Sequence, residues 1–420
     1  MKREIEESLL EKARIEEKNY NFEEAAELYE QAAEIFLNKN LKKEAAKTFN
    51  QLGLVYLYAL ETAKTSETFI SNCKNGIKAY EIAKKLFNQV GYRLNVLECE
   101  ANIFYINGFI SGSLTEATKS FNNSYELFIE SSKYYEQEDN KEGTVRTLSG
   151  GLRSLSYALP NCKTSLEVKE ILQKVNQLGD KPWKLSKEIK AFRYLGTIFF
   201  FETLSRFWVI YAINFKSNDR FYKYLKNIFL RFKEFSELVG RWDDPRVLGM
   251  VFSASGNAYC AYGNHYAKDE KEQGEYIDKG IELFEKALIF AKKAKNSFLI
   301  IQCIFWLNWW AFFNRRLKYV QKRIFKDVNE LLNLGKAYMD TPSFVYYLTN
   351  LLPAFYYANI AQMNMFTTRQ RISYAKKGVE YAKKSLKFFS NAHMGIKALL
   401  MLTYSYSQLT ALTTSKEEQE

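Results

Sequence analysis

The sequence predicts an all-α protein, an α-solenoid whose right-handed superhelix contains about seven antiparallel helix hairpins. The first observation is that only 5 of its 420 residues are proline, the residue that interrupts helix interiors. The second is an apolar content of 47%, with 29 tyrosines and 32 phenylalanines, which can fill a large core. The third is a pair of motifs that recur along the chain with helical spacing.

One motif recurs in five segments that align without gaps. Each begins with a small residue, and in four of them an aromatic residue follows four positions later. In all five a further small residue comes three positions after that, and in the fifth segment Ala382 replaces the aromatic residue. Such steps place these side chains on one helical face, where small residues let a neighbouring helix approach closely. The segments are AAELYEQAAEIF from Ala25, GIKAYEIAKKLF from Gly76, ATKSFNNSYELF from Ala117, GIELFEKALIFA from Gly280 and GVEYAKKSLKFF from Gly378.

A second motif, aromatic-x-x-(L/S)-G-x-x-aromatic, occurs around Gly53, Gly196 and Gly256. Glycine inside a helix costs about 1 kcal/mol relative to alanine, so its recurrence indicates a contact where a Cβ would not fit. Gly53 precedes Gly76 by 23 residues, and Gly256 precedes Gly280 by 24. The two motifs therefore form an ordered pair, which predicts a helical hairpin.

Together these residues resemble the tetratricopeptide repeat (TPR), in which W-x-x-L-G-x-x-Y on a first helix precedes A-x-x-x-F-x-x-A on a second, over about half of the chain. Three features depart from that pattern. About 11 additional residues separate Tyr56 from Gly76, the closing proline is missing, and the predicted helices 192–215 and 343–366 are unusually long. The chain is therefore similar to divergent, long-helix members, such as the helical regions of regulatory ATPases and sensor kinases or the soluble NSF attachment proteins.

The motifs predict a single TPR-like domain over residues 1–412, in which each hairpin buries its apolar face against its neighbours, and a polar tail over 413–420. Turn residues at 159–161, 179–182 and 240–245 mark breaks between helices. None of these stretches is long enough for a flexible interdomain linker. The last unit, from about residue 396 to 412, supplies a first helix without a second.

Two stretches contain no Lys, Arg, Asp or Glu, residues 296–314 and 341–368. A membrane-spanning helix needs about 20 largely apolar residues. Asn and Gln interrupt the first stretch, leaving 16 residues from 298 to 313, and polar residues and Pro353 interrupt the second. We interpret both as buried helices rather than membrane spans.

The five cysteines are never closer than 26 residues, and no C-x-x-C pair occurs among them. The first 18 residues alternate charged and apolar positions, so they lack the apolar middle region of a signal peptide. Both observations indicate reduced, buried cysteines and a cytoplasmic location.

Candidate catalytic and metal-binding residues are scarce. The two histidines, His265 and His393, are 128 residues apart, whereas a structural zinc site needs four ligands in close pairs. The phosphate-cradling loop, the dinucleotide-binding loop, the G-x-S-x-G elbow and the H-E-x-x-H helix are missing. We therefore expect no cofactor, no metal and no enzymatic activity.

The resemblance implies that the first helices form a concave wall that holds a segment of a partner. When the motif glycine is the eighth position of its helix, the fifth and ninth positions face that wall, where Asn and Arg can bond to a partner's backbone or carboxylate. The candidate groove residues are Asn50, Asn102, Arg193, Ser253 and Asn257. The positions at which the family's clamp for chaperone tails has Lys and Asn differ here, which argues against that ligand, and they are Leu10, Arg14, Leu54 and Ile106.

The net charge of +12 is concentrated in part between residues 315 and 326, where six basic residues occur without an acidic one. This candidate basic patch consists of Arg315, Arg316, Lys318, Lys322, Arg323 and Lys326. One interpretation is a solvated outer surface. The other is a patch that attracts an acidic peptide, a nucleic acid backbone or lipid headgroups. No RNA-reading motif accompanies the patch, which argues against nucleic acid.

We therefore expect a cytoplasmic, non-catalytic scaffold that binds a protein or peptide, which is acidic if the basic patch takes part. A solenoid offers a long surface whose shape is fixed before binding, so little entropy is lost there. Two alternatives remain. The chain could be the regulatory or sensor arm of a signalling ATPase or kinase system, or a membrane-trafficking adaptor, peripherally bound, that resembles the soluble NSF attachment proteins.

Overall fold

The structure is a computed structural model that describes residues 4–178, 180–213, 219–239, 244–314, 316–363, 366–392 and 394–417. Over these residues it contains helices and turns and no strand, which confirms the all-α prediction. Two short 3-10 helices, Leu159–Asn161 and Lys336–Tyr338, accompany the α-helices. The α-helices are α1 (Glu4–Lys18), α2 (Phe22–Asn38), α3 (Lys42–Ala59), α4 (Ser66–Gln89), α5 (Arg93–Ile110), α6 (Leu114–Gln137), α7 (Lys141–Ala158), α8 (Ser165–Leu178), α9 (Lys181–Glu188), α10 (Phe192–Ile213), α11 (Asp219–Val239), α12 (Pro245–Tyr266), α13 (Glu270–Lys293), α14 (Ser297–Phe313), α15 (Leu317–Gly335), α16 (Phe344–Ile360), α17 (Thr368–Phe389) and α18 (Gly395–Glu417).

Helices that follow one another along the chain pack side by side, as expected for a helical repeat. The short helix α9 contacts α7 and α10, and α18 packs against α16 and α17. This arrangement confirms the predicted solenoid of antiparallel hairpins. The hairpins are α1–α2, α3–α4, α5–α6, α7–α8, α10–α11, α12–α13, α14–α15 and α16–α17.

The motif glycines lie where helices touch. A Cβ on Gly53 would lie 2.8 Å from the ring of Tyr80, and one on Gly256 would lie 3.0 Å from the ring of Phe284. The glycine of the aromatic-x-x-(L/S)-G-x-x-aromatic motif therefore faces the aromatic residue of the other motif, which explains why the two occur as a pair. Gly196 differs, because its Cβ would lie 2.2 Å from Cγ1 of Val247 in α12, closer than the 3.5 Å to the Phe235 ring of the following helix α11.

Polar side chains define where many of the helices begin. The side chain of the residue before the first turn accepts a hydrogen bond from a backbone N–H of that turn, which satisfies a donor that has no partner inside the helix. These residues are Thr65, Ser113, Asn140, Asp244, Asp269, Asn296, Ser343 and Thr367.

Several turns between helices share one backbone conformation. Two residues before the next helix, φ is positive, between 50° and 78°, which reverses the chain in three residues. Glycine and asparagine are the usual residues in this region, yet tyrosine, aspartate and lysine also occupy it here. The residues are Tyr20, Asn40, Gly91, Asp139, Lys190 and Lys295.

Two predicted boundaries differ from the observed ones. The helix predicted over 343–366 ends at Ile360, and a separate helix, α17, begins after a capping box of Thr367 with Gln370. The segment predicted as a polar tail from residue 413 is helical as far as Glu417. Helix α10 begins at Phe192 and is described to Ile213, close to the predicted 192–215.

The apolar stretch 296–314 forms α14, whose residues 298–311 are all buried. Helices α12, α13, α15 and α16 surround it. Such an all-round apolar helix belongs in the interior of a fold. Across the described ranges, no helix combines the length and apolar character needed to cross a membrane.

Candidate functional site

The first helices α3, α5 and α7 form a continuous row in which polar side chains contact one another. Asn50 on α3 accepts a hydrogen bond from Cys99 Sγ at 3.4 Å, and Asn102 on α5 accepts one from Arg153 Nη2 on α7 at 3.4 Å. Asn50 and Asn102 were both predicted as groove residues. The structure places both, half-buried, along this row.

Arg153 was missed by the sequence motifs, because α7 carries the tandem Gly150–Gly151 and no aromatic residue fixes which glycine sets the register. Its guanidinium lies 4.1 Å from the ring centroid of Tyr105, and its Nε is buried with no hydrogen-bond partner in the part of the chain that the structure describes. A guanidinium has five N–H donors. Arg153 therefore has donors left for a bound acceptor.

Arg193, the groove residue predicted on α10, lies across the row from α3. Its guanidinium donates to the hydroxyl of Tyr58, at the end of α3, and lies 5.2 Å from the centroid of that ring. The coulombic attraction of Tyr58 raises the pKa of Arg193, so the Arg193 guanidinium stays positively charged. The Arg193 side chain is exposed, and no carboxylate in the described part of the chain forms an ion pair with it.

Beside Tyr58, a partly buried ion pair joins the first hairpins to the later ones. Glu61, in the turn after α3, accepts two hydrogen bonds from Arg246 of α12, with Nε–Oε2 of 2.8 Å and Nη2–Oε1 of 2.5 Å. Asn296 donates to the same carboxylate at 2.6 Å, and the backbone N–H of Ser297 donates to the Glu61 carbonyl at 2.6 Å. Burial lowers the pKa of the Arg246 guanidinium, but its ion pair with Glu61 raises that pKa by more.

An aromatic cluster around Phe298 extends this junction. Phe298, at the start of α14, lies 4.9 Å from Tyr338, 6.0 Å from Phe109 and 6.5 Å from Tyr157 between ring centroids. Phe109 and Tyr157 are near the ends of α5 and α7. The space beside those ends is therefore filled by the chain itself, and the wall is not open along its whole length.

The remaining two predicted groove residues lie in the interior. Ser253 and Asn257 on α12 are 1% and 4% exposed. Asn257 Oδ1 accepts a hydrogen bond from Trp310 Nε1 at 3.1 Å, because α14 packs against this face of α12. A partner cannot reach either side chain in this structure, so we leave both out of the candidate surface.

A groove with a volume of about 380 Å³ lies between α1 and α3. Apolar groups of Leu10, Tyr29 and Phe36 line it together with charged and amide side chains. Glu17 accepts hydrogen bonds from the Tyr29 hydroxyl at 3.1 Å and from Gln51 Nε2 at 2.9 Å. Burial, together with the negative charge of Glu17, raises the pKa of Tyr29. The other lining residues are Arg14, Glu44, Lys47 and Thr48.

In the candidate basic patch, two described arginines are ion-paired. Arg316 Nε lies 2.9 Å from Asp278 Oδ1 of α13, and Arg323 Nε lies 2.6 Å from Asp327 Oδ2. Lys326 is exposed. Arg315 and the side chains of Lys318 and Lys322 lie outside the described residues. The acidic neighbours of Arg316 and Arg323 favour the interpretation of this patch as a structural outer surface.

Cysteine and metal chemistry receives no support from the geometry. All five cysteines are buried and free, and burial raises the thiol pKa of Cys162 and of Cys303 to about 12. A thiol needs a lowered pKa to act as a nucleophile near neutral pH. Among the described residues, no group of three His, Cys, Asp or Glu side chains could hold a metal ion.

Comparisons with known proteins add little to this geometry. No protein-family profile matches the chain, and no curated protein is similar to it. Solved structures that align with it include a circular tandem repeat protein with novel repeat topology, at 12% identity over 99% of this chain and 97% of that one with a TM-score of 0.28. Another is Naa15/Naa10 bound to HypK-THB, at 11% identity over 97% and 96% of the two chains with a TM-score of 0.15. Both similarities are too distant to carry an argument about function.

Proposed function

We propose that the protein is a non-catalytic scaffold of the tetratricopeptide type, which binds a protein or peptide segment along the row of first helices. The main observation in favour of this function is the groove between α1 and α3, which combines apolar side chains with polar ones. Apolar pockets with a few oriented polar groups are typical of binding sites. The resemblance of the two recurrent motifs to the tetratricopeptide repeat supports the same function.

The groove continues into side chains suited to an extended segment. Apolar side chains of the partner would occupy the space beside Leu10 and Phe36. Asn50 and Asn102 would bond to its backbone, since an amide side chain both donates and accepts. Arg153 and Arg193 supply guanidinium donors that match a carboxylate, and this favours a partner segment with at least one acidic group.

Two physical features support a non-catalytic role. The cysteine thiols have raised pKa values, as described above, which disfavours a thiolate nucleophile. The Glu61 carboxylate is occupied by Arg246 and Asn296, so its oxygens are not free to contact a substrate.

A displayed library of random 12-residue peptides, selected on the purified protein, tests this function. The binding of the selected peptides is then compared between the wild-type chain and the triple variant Asn50→Ala/Arg153→Ala/Arg193→Ala. We expect the triple variant to bind at least about tenfold more weakly, because several hydrogen bonds to charged groups are removed. The control variant Lys271→Ala/Lys286→Ala changes two lysines on α13, away from the row.

Equal binding by the triple variant and the wild type would contradict the assignment of this row. Failure to select any peptide would contradict the scaffold function itself. The regulatory-arm and membrane-adaptor alternatives stay predictions. Sedimentation with anionic vesicles at low and raised salt separates the adaptor from the scaffold, because peripheral electrostatic binding falls as salt rises.

A further inference from the structure

A second groove, here called the acidic groove, lies between α2 and α4. Its volume of about 460 Å³ is within the range of about 300–1,000 Å³ that is typical of ligand sites. Three carboxylates line it, those of Glu23 and Glu27 on α2 and of Glu67 on α4. No basic residue is among the described lining residues, and the others are Ala26, Tyr56, Thr68, Ser71 and Asn72.

The three carboxylates of the acidic groove are exposed, and within the described ranges no basic side chain forms an ion pair with them. Lys295, near the start of α2, donates instead to Asn21 Oδ1 at 2.7 Å. The first lysines of α4, Lys74 and Lys78, do not line the groove. The negative charge of the groove is therefore not neutralised by these neighbouring lysines.

The helix dipole accounts for two of these carboxylates but not for the third. Glu23 and Glu67 are in the first turns of their helices, where the partial positive charge of the N-terminus stabilises an acidic side chain. Glu27 is in the second turn of α2 and Glu30 follows in the next turn, beyond the reach of that effect. Burial raises the pKa of the Tyr56 hydroxyl, and the negative charges of Glu30 and Glu27 raise it further. Both carboxylates therefore act on the groove.

The Tyr56 ring is available for a cation. It is half-buried, and among the described residues no cation or aromatic ring contacts it. Tyr58, two residues further along α3, differs, because Arg246 and Arg193 lie 4.4 Å and 5.2 Å from its ring centroid. A guanidinium over an aromatic face is a favourable contact. The Tyr56 ring therefore offers a ligand the contact that arginines of the chain already make with Tyr58.

Asn72 supplies a hydrogen-bond acceptor to the same groove. Its side chain lines the groove although the residue is only 8% exposed. Its Nδ2 donates to the carbonyl of Ala59 at 3.3 Å, whereas no donor in the described part of the chain reaches its Oδ1. A largely buried amide oxygen without a donor is unfavourable, and a bound N–H would satisfy it. Asn72 is therefore an independent indication that the acidic groove holds a ligand.

We propose that the acidic groove binds an arginine-containing segment of a partner protein. An arginine of the segment would pair with the Glu27 or Glu67 carboxylate through two parallel hydrogen bonds and lie against the Tyr56 ring. A backbone N–H of the segment would donate to Asn72 Oδ1. This site is separate from the row of polar side chains on α3, α5, α7 and α10, so the protein would hold a second segment of opposite charge there.

A basic segment suits the groove better than a metal ion or a small polyamine. In the described ranges no three acidic, histidine or cysteine side chains are close enough to hold one metal ion, so the groove carboxylates are spread apart. Separated carboxylates suit several cationic side chains along a segment, each with its own acid. A planar guanidinium also matches a carboxylate and an aromatic ring better than a compact ammonium does, which favours arginine over lysine.

Fluorescence anisotropy of labelled eight-residue peptides with the full chain tests the proposal. The peptides alternate glycine with arginine, with lysine or with glutamine. At low salt we expect the arginine peptide to bind most tightly, the lysine peptide at least about threefold more weakly, and the glutamine peptide not detectably. The chain has a net charge of +12, which disfavours non-specific attraction of a basic peptide, so binding reports a local acidic site. Binding should weaken in 0.5 M salt.

Two variants locate the binding in the acidic groove. Glu27→Gln/Glu67→Gln should weaken binding of the arginine peptide at least about fivefold, because two ion pairs are lost. The control Glu170→Gln/Glu275→Gln removes the same charge from exposed positions of α8 and α13 and should bind like the wild type. Tyr56→Leu should lower the preference for arginine over lysine and leave binding of the lysine peptide almost unchanged. Circular dichroism verifies that each variant is folded.

Three outcomes would overturn the proposal. The first is an arginine peptide that does not bind the wild-type chain at low salt. The second is equal binding by Glu27→Gln/Glu67→Gln and its control, which would place the site elsewhere. The third is complete displacement of the arginine peptide by an equal concentration of spermine, which would indicate a site for small polyamines.

The test is independent of the proposed scaffold function. The triple variant Asn50→Ala/Arg153→Ala/Arg193→Ala changes the row of polar side chains and leaves the lining of the acidic groove intact. It should therefore bind the arginine peptide like the wild type. Failure to select a peptide from the displayed library would contradict the scaffold function without changing this expectation.

Discussion

Helices α2 and α17 occupy equivalent places in their hairpins, yet their exposed faces carry opposite charge. The buried positions of the motif are Ala25, Ala32 and Phe36 in α2, and Gly378 and Phe389 stand at the first and last of these positions in α17. Outside those positions the charged residues of α2 are all glutamates, whereas the charged residues of α17 are basic except for Glu380.

The difference shows that the buried face and the solvent-exposed face of a repeat are under different constraints. Neighbouring helices fix the buried face, as at Gly378, where a Cβ would lie 2.8 Å from Ser405 Oγ and 3.2 Å from the backbone N of Ala358. Solvent-exposed positions contribute little to folding and can therefore diverge completely. The opposite charges of α2 and α17 lie on exposed side chains and should therefore have little effect on the stability of the fold.

The largest expected effect concerns the ion pair of Glu61 with Arg246, one of the contacts that join the first half of the chain to the second. It tests whether α2 and α17 belong to one cooperative unit. In Glu61→Ala, Arg246 is left buried without its carboxylate, which should cost about 3–5 kcal/mol. We expect hydrogen exchange to become faster in both helices and thermal unfolding to split into two transitions. The double change Glu61→Ala/Arg246→Leu should recover part of the loss. An unchanged single transition in Glu61→Ala would mean that the halves are joined elsewhere.

The second prediction compares the equivalent buried positions directly. Ala25→Leu in α2 and Gly378→Leu in α17 should each lower the free energy of unfolding by about 1–3 kcal/mol, because both sites lack room for a larger side chain. Urea unfolding measures both, with Lys377→Leu as an exposed control beside Gly378. Similar losses at the two sites would show that the buried pattern is shared. A loss at one site only would show that the two repeats are not equivalent.

The sequence predicted the hairpins well because each small residue and aromatic residue of the motifs reports a contact between neighbours in the chain. The contact of Gly53 with Tyr80 is of this kind. The sequence could not predict the junction at Glu61 and Phe298, because these residues contact partners that are far away in sequence. For the same reason the interior position of Asn257 was missed, since it depends on Trp310 of another hairpin.

A third prediction uses the cysteines as reporters of the interior between the two ends. Cys162 and Cys303 have pKa values of about 12, raised by burial, so at pH 8 the thiolate fraction is about 10⁻⁴, against about 0.2 for a free thiol. A disulfide reagent should therefore react with them about 10³-fold more slowly in the folded chain. Raising the pH should speed the reaction, and denaturant should expose all five thiols. Rapid labelling at pH 8 without denaturant would indicate that the interior opens.

The smallest expected effect concerns the exposed charges of α2 and α17, whose opposite signs should matter little for folding. Glu27→Gln in α2 and Lys377→Gln in α17 should each change the free energy of unfolding by less than about 0.5 kcal/mol, because both side chains are exposed. Urea titration of both variants measures this change. Large losses of stability at either position would show that the exposed charge also supports the fold, and the opposite charges of α2 and α17 would then need an intramolecular explanation.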